Sequence, residues 1–169
     1  MSIQGLIQHC LATEQLFPLH PWLPSTKQTR FVYVSRSVRD FIDSDDERAG
    51  QLHADLDLFI GGDVITASMV PRKAGKAYMG LLHPATDGIW DIRSRDPSPA
   101  LRLLGGFVWK DAYIGLILEK RALLGAFNSA PWKVAIRKCK TEWRNRFHAY
   151  PPLTGDDLHG YLSNGSRVD

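Results

Sequence analysis

The chain has 169 residues, of which 44% are hydrophobic and 23% are charged, and its formal net charge is +3. This length and composition predict one folded domain rather than a disordered chain, and the small net charge excludes a protein that binds polyanions through its total charge alone. Because no apolar run is long enough to span a membrane and the start lacks a signal-peptide pattern, we expect a cytoplasmic protein with no membrane partner.

The first part of the chain predicts an arm followed by a strand and two helices. Residues 1–29 begin with a short helical pattern that is broken by prolines, so we interpret them as an arm appended to the domain. The β-branched and aromatic run RFVYV at 30–34 predicts a strand, and Ser35 is a suitable residue to cap a following helix. Apolar residues at helical spacing then predict two helices between residues 36 and 60.

The middle of the chain predicts an antiparallel meander. Strand-like runs follow one another, and they read VITASMV, KAYMGLL, GIWDIR, ALRLLGGFV and DAYIGLILE. The last two runs meet across Trp109 and Lys110, where we expect a tight turn.

The clearest helical pattern lies near the end of the chain and begins at Ser129. Its apolar face consists of Trp132, Ile136, Cys139, Trp143 and Phe147, and its basic stripe of Lys133, Arg137, Lys140 and Arg144. Residues 132–148 hold six Lys or Arg against one Glu, which is a local charge of +5. Two interpretations of this stripe are open, a solvated helix face and a contact surface for nucleic acid.

Together these patterns predict the fold class α+β. We expect an antiparallel sheet packed against two N-terminal helices and one C-terminal amphipathic helix, within a domain of residues 30–148. Residues 149–169 are broken by prolines and rich in glycine, and we interpret them as a tail. Cys10 and Cys139 lack metal-ligand spacing, which favours a reducing compartment and argues against a zinc site.

Arg93 ends one strand-like run, Arg102 lies in the next run, and Arg95 lies in the polar link between them. Like charges on one hairpin repel each other unless they point to solvent in different directions or an anion lies between them. Arg102 lies inside an otherwise apolar run, where a lone arginine is unfavourable without an anionic partner. Asp91 is the nearest such partner, so a structural Arg102–Asp91 pair and a phosphate site both remain open.

Four short motifs resemble those of RelE/HigB-type toxins and their phage-borne relatives. In this chain they are IWDIR at 89–93, LRLLGGF at 101–107, LILEKR at 116–121 and APWKVA at 130–135. The order of the predicted elements, a strand, two helices, antiparallel strands and a helix, is also similar to that superfamily between Arg30 and Phe147. The resemblance implies a RelE/ParE-like fold.

The resemblance also implies an activity. RelE-like toxins cut mRNA on the ribosome without a metal or another cofactor, through attack of a ribose 2′-OH on the adjacent phosphate. Arg102 then corresponds to the phosphate-binding arginine of the family, and Lys120 and Arg121 to the basic pair that follows the last strand. Arg93 and Arg95 are candidates for further RNA contacts, and a cognate antitoxin is the implied protein partner.

The chain departs from the family pattern at residues that transfer protons. Ile89 and Asp91 stand where active members carry lysines, and Phe127 stands where some members carry a tyrosine. His148 is then a candidate catalytic residue, and His83 is a second one. A catalytically inactive binding or inhibitor protein of a phage or mobile element is therefore an alternative, as is a ParE-like inhibitor of DNA gyrase.

Overall fold

The structure is a computed structural model that describes residues 1–71 and 75–169. Its α-helices are α1 (Ile3–Ala12), α2 (Arg36–Ile42), α3 (Ala49–Ile60) and α4 (Ala130–Phe147). Its strands are β1 (Leu16–Leu19), β2 (Phe31–Ser35), β3 (Ile65–Ser68), β4 (Met79–Leu81), β5 (Trp90–Ser94), β6 (Leu101–Trp109), β7 (Ala112–Lys120) and β8 (Gly165–Arg167). Within the described residues, no helix has the length and apolar character that a membrane span needs.

The strands in the described part of the chain form one sheet in the order β1-β2-β7-β6-β5-β4-β3-β8. The run from β4 to β7 is antiparallel, as the sequence predicts. The pairs β2–β7, β3–β4 and β3–β8 are parallel, so the sheet is mixed and larger than predicted. Parallel neighbours require a crossover connection, and the residue pattern inside a strand does not reveal which distant strand will become its neighbour.

Helices cover both faces of the sheet rather than one apolar face. Buried residues of α2 and α3 pack with Val34, Ile92 and Leu103 in one hydrophobic core. Buried residues of α1 and α4 pack with Leu104 and Leu116 in a second core on the opposite face. Neighbours such as Leu103 and Leu104 point to opposite faces, which explains why the centre of β6 is apolar at every position.

The arm and the tail are both built into the fold. Strand β1 pairs with β2, and α1 places Ile7 in the core that it shares with α4. Strand β8 pairs with β3, and Tyr161 and Leu162 lie in the α2/α3 core. The buried Arg30 guanidinium donates hydrogen bonds to the carbonyl oxygens of Phe59 and Asn164, which ties the tail to α3.

The packing of the tail predicts a large loss of stability from one substitution there. Leu162 is 0% exposed, whereas Leu123 is 65% exposed. We expect Leu162→Ala to lower the free energy of unfolding by about 2–5 kcal/mol, because the change leaves a cavity in the core. The matched Leu123→Ala change should remain within about 0.5 kcal/mol of the parent protein. Urea denaturation measures both values, and equal effects of the two variants would contradict the observed place of the tail.

Candidate anion-binding site

A cavity of about 140 Å³ lies on the face of the sheet that α1 and α4 cover. Strands β5 and β6 form its floor, and the segment after β4, the β7–α4 connection and the start of α4 form its walls. Its described lining residues are Val70, Leu81, Leu82, His83, Asp91, Arg93, Arg102, Arg121, Phe127, Asn128, Trp132 and Ile136. The cavity therefore brings together residues from separate segments of the chain.

Strand alternation places the charged floor residues on a single face. On β5, Trp90 and Ile92 belong to the α2/α3 core, so Asp91 and Arg93 point to the opposite face. Arg102 lies directly opposite Arg93 in the β5–β6 register and therefore points to the same side. These three charged residues therefore lie on the face of the sheet that carries the core formed by α1 and α4.

The Asp91 carboxylate is buried and bridges two of the arginines. Its Oδ1 atom lies 3.1 Å from Arg93 Nε, and its Oδ2 atom lies 3.3 Å from Arg102 Nε. Arg102 Nη1 also donates a hydrogen bond of 3.0 Å to the Leu101 carbonyl oxygen. The Arg102–Asp91 pair that the sequence left open is therefore formed, and it holds both guanidinium groups in place.

Positive charge exceeds negative charge in this cavity. Burial lowers the pKa of Arg102 to about 10, although the Asp91 carboxylate acts in the opposite direction. Repulsion from Arg93, Arg95 and Arg121 also contributes to this lowered pKa. Arg102 nevertheless remains a cation at neutral pH, so its neighbours repel it in the absence of an additional anion. The site is suited to bind a negatively charged group.

Aromatic and apolar side chains form the wall opposite the floor. The Arg121 guanidinium lies 5.8 Å from the centre of the Trp132 ring and donates a hydrogen bond of 2.9 Å to the Gly125 carbonyl oxygen. The His83 and Phe127 rings meet edge to face, with 5.8 Å between their centres. A ligand of this cavity can therefore combine an anionic group with an apolar or aromatic body.

Gly80 on β4 leaves the space that Arg93 occupies. A Cβ atom built on Gly80 would collide with Arg93 Nη2 and would lie 3.3 Å from Asp91 Oδ1. Any larger side chain at this position would push the guanidinium away from the floor of the cavity. This glycine supports the site through its lack of a side chain, which is why sequence reasoning missed it.

A second buried arginine, Arg48 at the start of α3, anchors the β5–β6 connection. Its guanidinium donates hydrogen bonds of 2.9 Å to the Pro99 carbonyl oxygen, 3.1 Å to the Asp96 carbonyl oxygen and 2.8 Å to Ser94 Oγ. Ser94 follows Arg93 directly, so these bonds fix the strand end that carries a floor arginine.

The structure brings only some of the predicted catalytic residues together. Arg102 and Arg121 both line the cavity, and His83 joins them there. Lys120 lies opposite Leu101 in the β6–β7 register, so its exposed side chain points away from the cavity face. His148 is exposed directly after α4 and is not among the described residues that line the cavity.

The predicted nucleic-acid contacts are similarly divided. Arg93 lies in the cavity, but the Arg95 guanidinium donates to the carbonyl oxygens of Gly75 and Lys76. On α4, the stripe residues Lys133, Arg137 and Arg144 are exposed, and Lys140 Nζ lies 2.8 Å from an Asp87 carboxylate oxygen. This exposure agrees with both interpretations of the basic stripe.

The buried face of α4 differs in part from the predicted one. Its buried residues are Ala135, Cys139, Trp143 and Phe147. Trp132 and Ile136 are only partly buried because they line the cavity. With Asn128, Val70, Leu81 and Leu82, they are lining residues whose role sequence reasoning missed. The available signal for a wall residue was Trp132, the aromatic residue in the first turn of the helix that follows the KR motif.

The cysteines and possible metal ligands do not form a second site. Burial raises the pKa of Cys139 to about 12, and it also raises the pKa of Cys10, so neither thiol is activated as a nucleophile. Among residues 1–71 and 75–169, no group of three or more His, Cys, Asp or Glu side chains is arranged to hold a metal ion.

Comparisons with known proteins do not assign this cavity. No family model, no curated protein and no solved structure matches the chain. The cavity is therefore interpreted from its own geometry and from the motifs in the sequence.

Proposed function

We propose that the chain is a RelE/HigB-like toxin that cleaves ribosome-bound mRNA without a metal ion. The observation that carries this proposal is the cavity in which Arg93, Arg102 and Arg121 accompany His83. Further support comes from the element order, because β2, α2, α3, the antiparallel strands and α4 follow one another as the resemblance requires. The proposal includes a cognate antitoxin as protein partner and the cytoplasm as the place of action.

Each part of the cavity has a chemical role in the proposed reaction. A ribose 2′-OH attacks the adjacent phosphorus, the bond from phosphorus to the 5′ oxygen breaks, and that oxygen takes up a proton. Arg102 and Arg121 bind the phosphate oxygens and stabilise the charge that develops there. His83 is the group in the cavity suited to remove the proton from the 2′-OH, since histidine is the most common general base.

One observation favours a different function, that of a binding protein without catalysis. Asp91 already pairs with Arg93 and Arg102, so the protein itself supplies a counter-charge to the two arginines of the cavity floor. A pair of this kind can hold the sheet together without any substrate. In that case the protein blocks a nucleic-acid or protein machine through its surface, as the inactive alternative requires.

The test is RNA cleavage by the purified protein in the presence of EDTA, with free RNA and with mRNA programmed on ribosomes. We expect cleavage on the ribosome, and we expect His83→Gln to reduce its rate by about 10²–10⁴-fold, the usual contribution of a general base. His9→Gln, at an exposed position on α1, is the matched control and should cleave like the parent protein.

Two results would contradict the proposal. One is an absence of cleavage on ribosomes, after which the binding protein becomes the leading hypothesis. The other is cleavage that His83→Gln leaves unchanged, which would remove His83 from the mechanism.

A further inference from the structure

The charges that line the cavity do not balance. Among the described lining residues, the guanidinium groups of Arg93, Arg102 and Arg121 face the single carboxylate of Asp91, which leaves a net charge of +2. Glu119 lies opposite Arg102 on β7, but it does not line the cavity. An anion with one negative charge therefore neutralises only half of the excess.

RNA offers two kinds of phosphate with different charges. An internal phosphodiester carries one negative charge, whereas a phosphate monoester carries about −1.5 to −2 at pH 7 and presents three acceptor oxygens. We propose that the cavity is a binding site for a phosphate monoester dianion, such as the terminal phosphate of an RNA end, and that such ends inhibit the protein by occupying it. This inference deepens the proposed function and rests on it for the identity of the substrate as RNA.

The positions of the guanidinium groups fit such a ligand. Arg93 and Arg102 have side chains that are only 10% and 11% exposed, and Asp91 holds both on the floor. Arg121 approaches from the β7–α4 connection and lies against the Trp132 ring. The donors come from different elements and line the same cavity, so a group that enters from the open side meets guanidinium groups of both the floor and the wall. A terminal phosphate can present an oxygen to each guanidinium, whereas a diester has only two unsubstituted oxygens.

The same charge excess connects the inhibitor to the proposed reaction. During attack by the 2′-OH, the phosphodiester gains negative charge at its unsubstituted oxygens. A cavity with a charge of +2 therefore stabilises the transition state more than the ground-state diester. A phosphate monoester has this higher charge without reacting, so it competes with the substrate for the same donors.

Calorimetric titration with two small probes tests the inference. The probes are adenosine 3′-monophosphate and its methyl ester, which differ mainly by one negative charge. We expect the monophosphate to bind at least about tenfold more tightly, a difference of about 1.4 kcal/mol. Arg121→Ala should weaken monophosphate binding and reduce the ratio of the two dissociation constants. This variant leaves the buried pairs of Asp91 with Arg93 and Arg102 intact. Arg39→Ala, on α2 at the other face of the sheet, is the control and should bind both probes like the parent protein.

A second comparison uses RNA oligonucleotides that end in a 3′-phosphate or in a 3′-hydroxyl. We expect only the phosphorylated oligonucleotide to inhibit cleavage and to compete with adenosine 3′-monophosphate. Tighter binding of the oligonucleotide than of the free nucleotide would identify an RNA end as the preferred source of the monoester.

Equal affinities for the monophosphate and its methyl ester would overturn the inference, as would monophosphate binding that Arg121→Ala does not change. A monophosphate preference without RNA cleavage would support the anion site and reject the ribonuclease. Cleavage without a monophosphate preference would support the ribonuclease and reject the monoester site. The two proposals therefore fail independently.

Discussion

Arg102→Ala is expected to lower the rate of RNA cleavage by about a hundredfold or more. A charged contact made mainly in the transition state contributes about 2.7–4 kcal/mol, and Arg102 lies on the cavity floor opposite Arg93. The residue is 9% exposed, so its guanidinium acts in a site with little water to compensate for its loss. Single-turnover cleavage of ribosome-bound mRNA measures the effect.

Two further variants separate catalysis from structure in this experiment. Arg102→Lys retains the positive charge but loses the planar fork that donates two parallel hydrogen bonds, so it should show an intermediate rate. Arg39→Ala removes a partly exposed arginine from the opposite face and should cleave at the parental rate. Circular dichroism must show that each variant is folded. A folded Arg102→Ala protein with the parental rate would assign Arg102 a purely structural role as the partner of Asp91.

Asp91→Asn is expected to lower the free energy of unfolding by about 3–5 kcal/mol in buffer without phosphate. The Asp91 side chain is 2% exposed, and its removal as an anion leaves Arg93 and Arg102 buried without their counter-charge. Asp43→Asn disrupts the exposed Arg39 pair instead, and it should change the free energy by about 0.3–0.5 kcal/mol. Urea denaturation at low salt measures both variants.

Inorganic phosphate should restore part of the stability that Asp91→Asn loses. An anion that binds only the folded protein stabilises it in proportion to the logarithm of its concentration over the dissociation constant. The restoration should be larger for Asp91→Asn than for the parent protein, because the variant has one more unbalanced positive charge. A destabilised variant that phosphate does not rescue would indicate an ion pair that serves the sheet alone.

The two strands that form the floor of the site could be predicted from the sequence. The runs GIWDIR and ALRLLGGFV predict two strands, which the structure contains as β5 and β6, and their alternation places Asp91, Arg93 and Arg102 on one face. This worked because the β5–β6 pairing is local and its side-chain period is two. The pairs β2–β7 and β3–β8 could not be predicted, since no local pattern specifies a partner that lies far along the chain. The β3–β4 pair joins successive strands, but the pattern inside the strands does not show that they run parallel.

Only part of the site follows from the sequence, because local motifs predict some of its residues and tertiary packing determines the others. Arg102 and Arg121 were identified from short motifs, whereas Lys120 was paired with Arg121 although strand alternation directs it to the other face. Trp132 was assigned to the core because its spacing matches the buried residues of α4. Its place on the cavity wall depends on how the helix meets the sheet, which is a tertiary property.

The prolines and glycines of the arm and the tail indicate breaks in regular structure, so the sequence predicts that both lie outside the domain. Strands β1 and β8 are only four and three residues long, so a pattern of alternation has little length in which to appear. Buried apolar residues such as Ile7 and Leu162 were the remaining signal, and isolated apolar residues are common in loops as well.

The position of β8 in the chain has a consequence for the order of events during synthesis. Thr66 of β3 pairs with Ser166 of β8, so β3 lacks this neighbour until residue 166 has been synthesised and has left the ribosome. Pairings between residues so distant in sequence form slowly, so β3 gains this neighbour later than the neighbour that lies close to it in sequence. A polypeptide that ended before Tyr161 would lack Tyr161 and Leu162 in its core and would be more open to proteolysis.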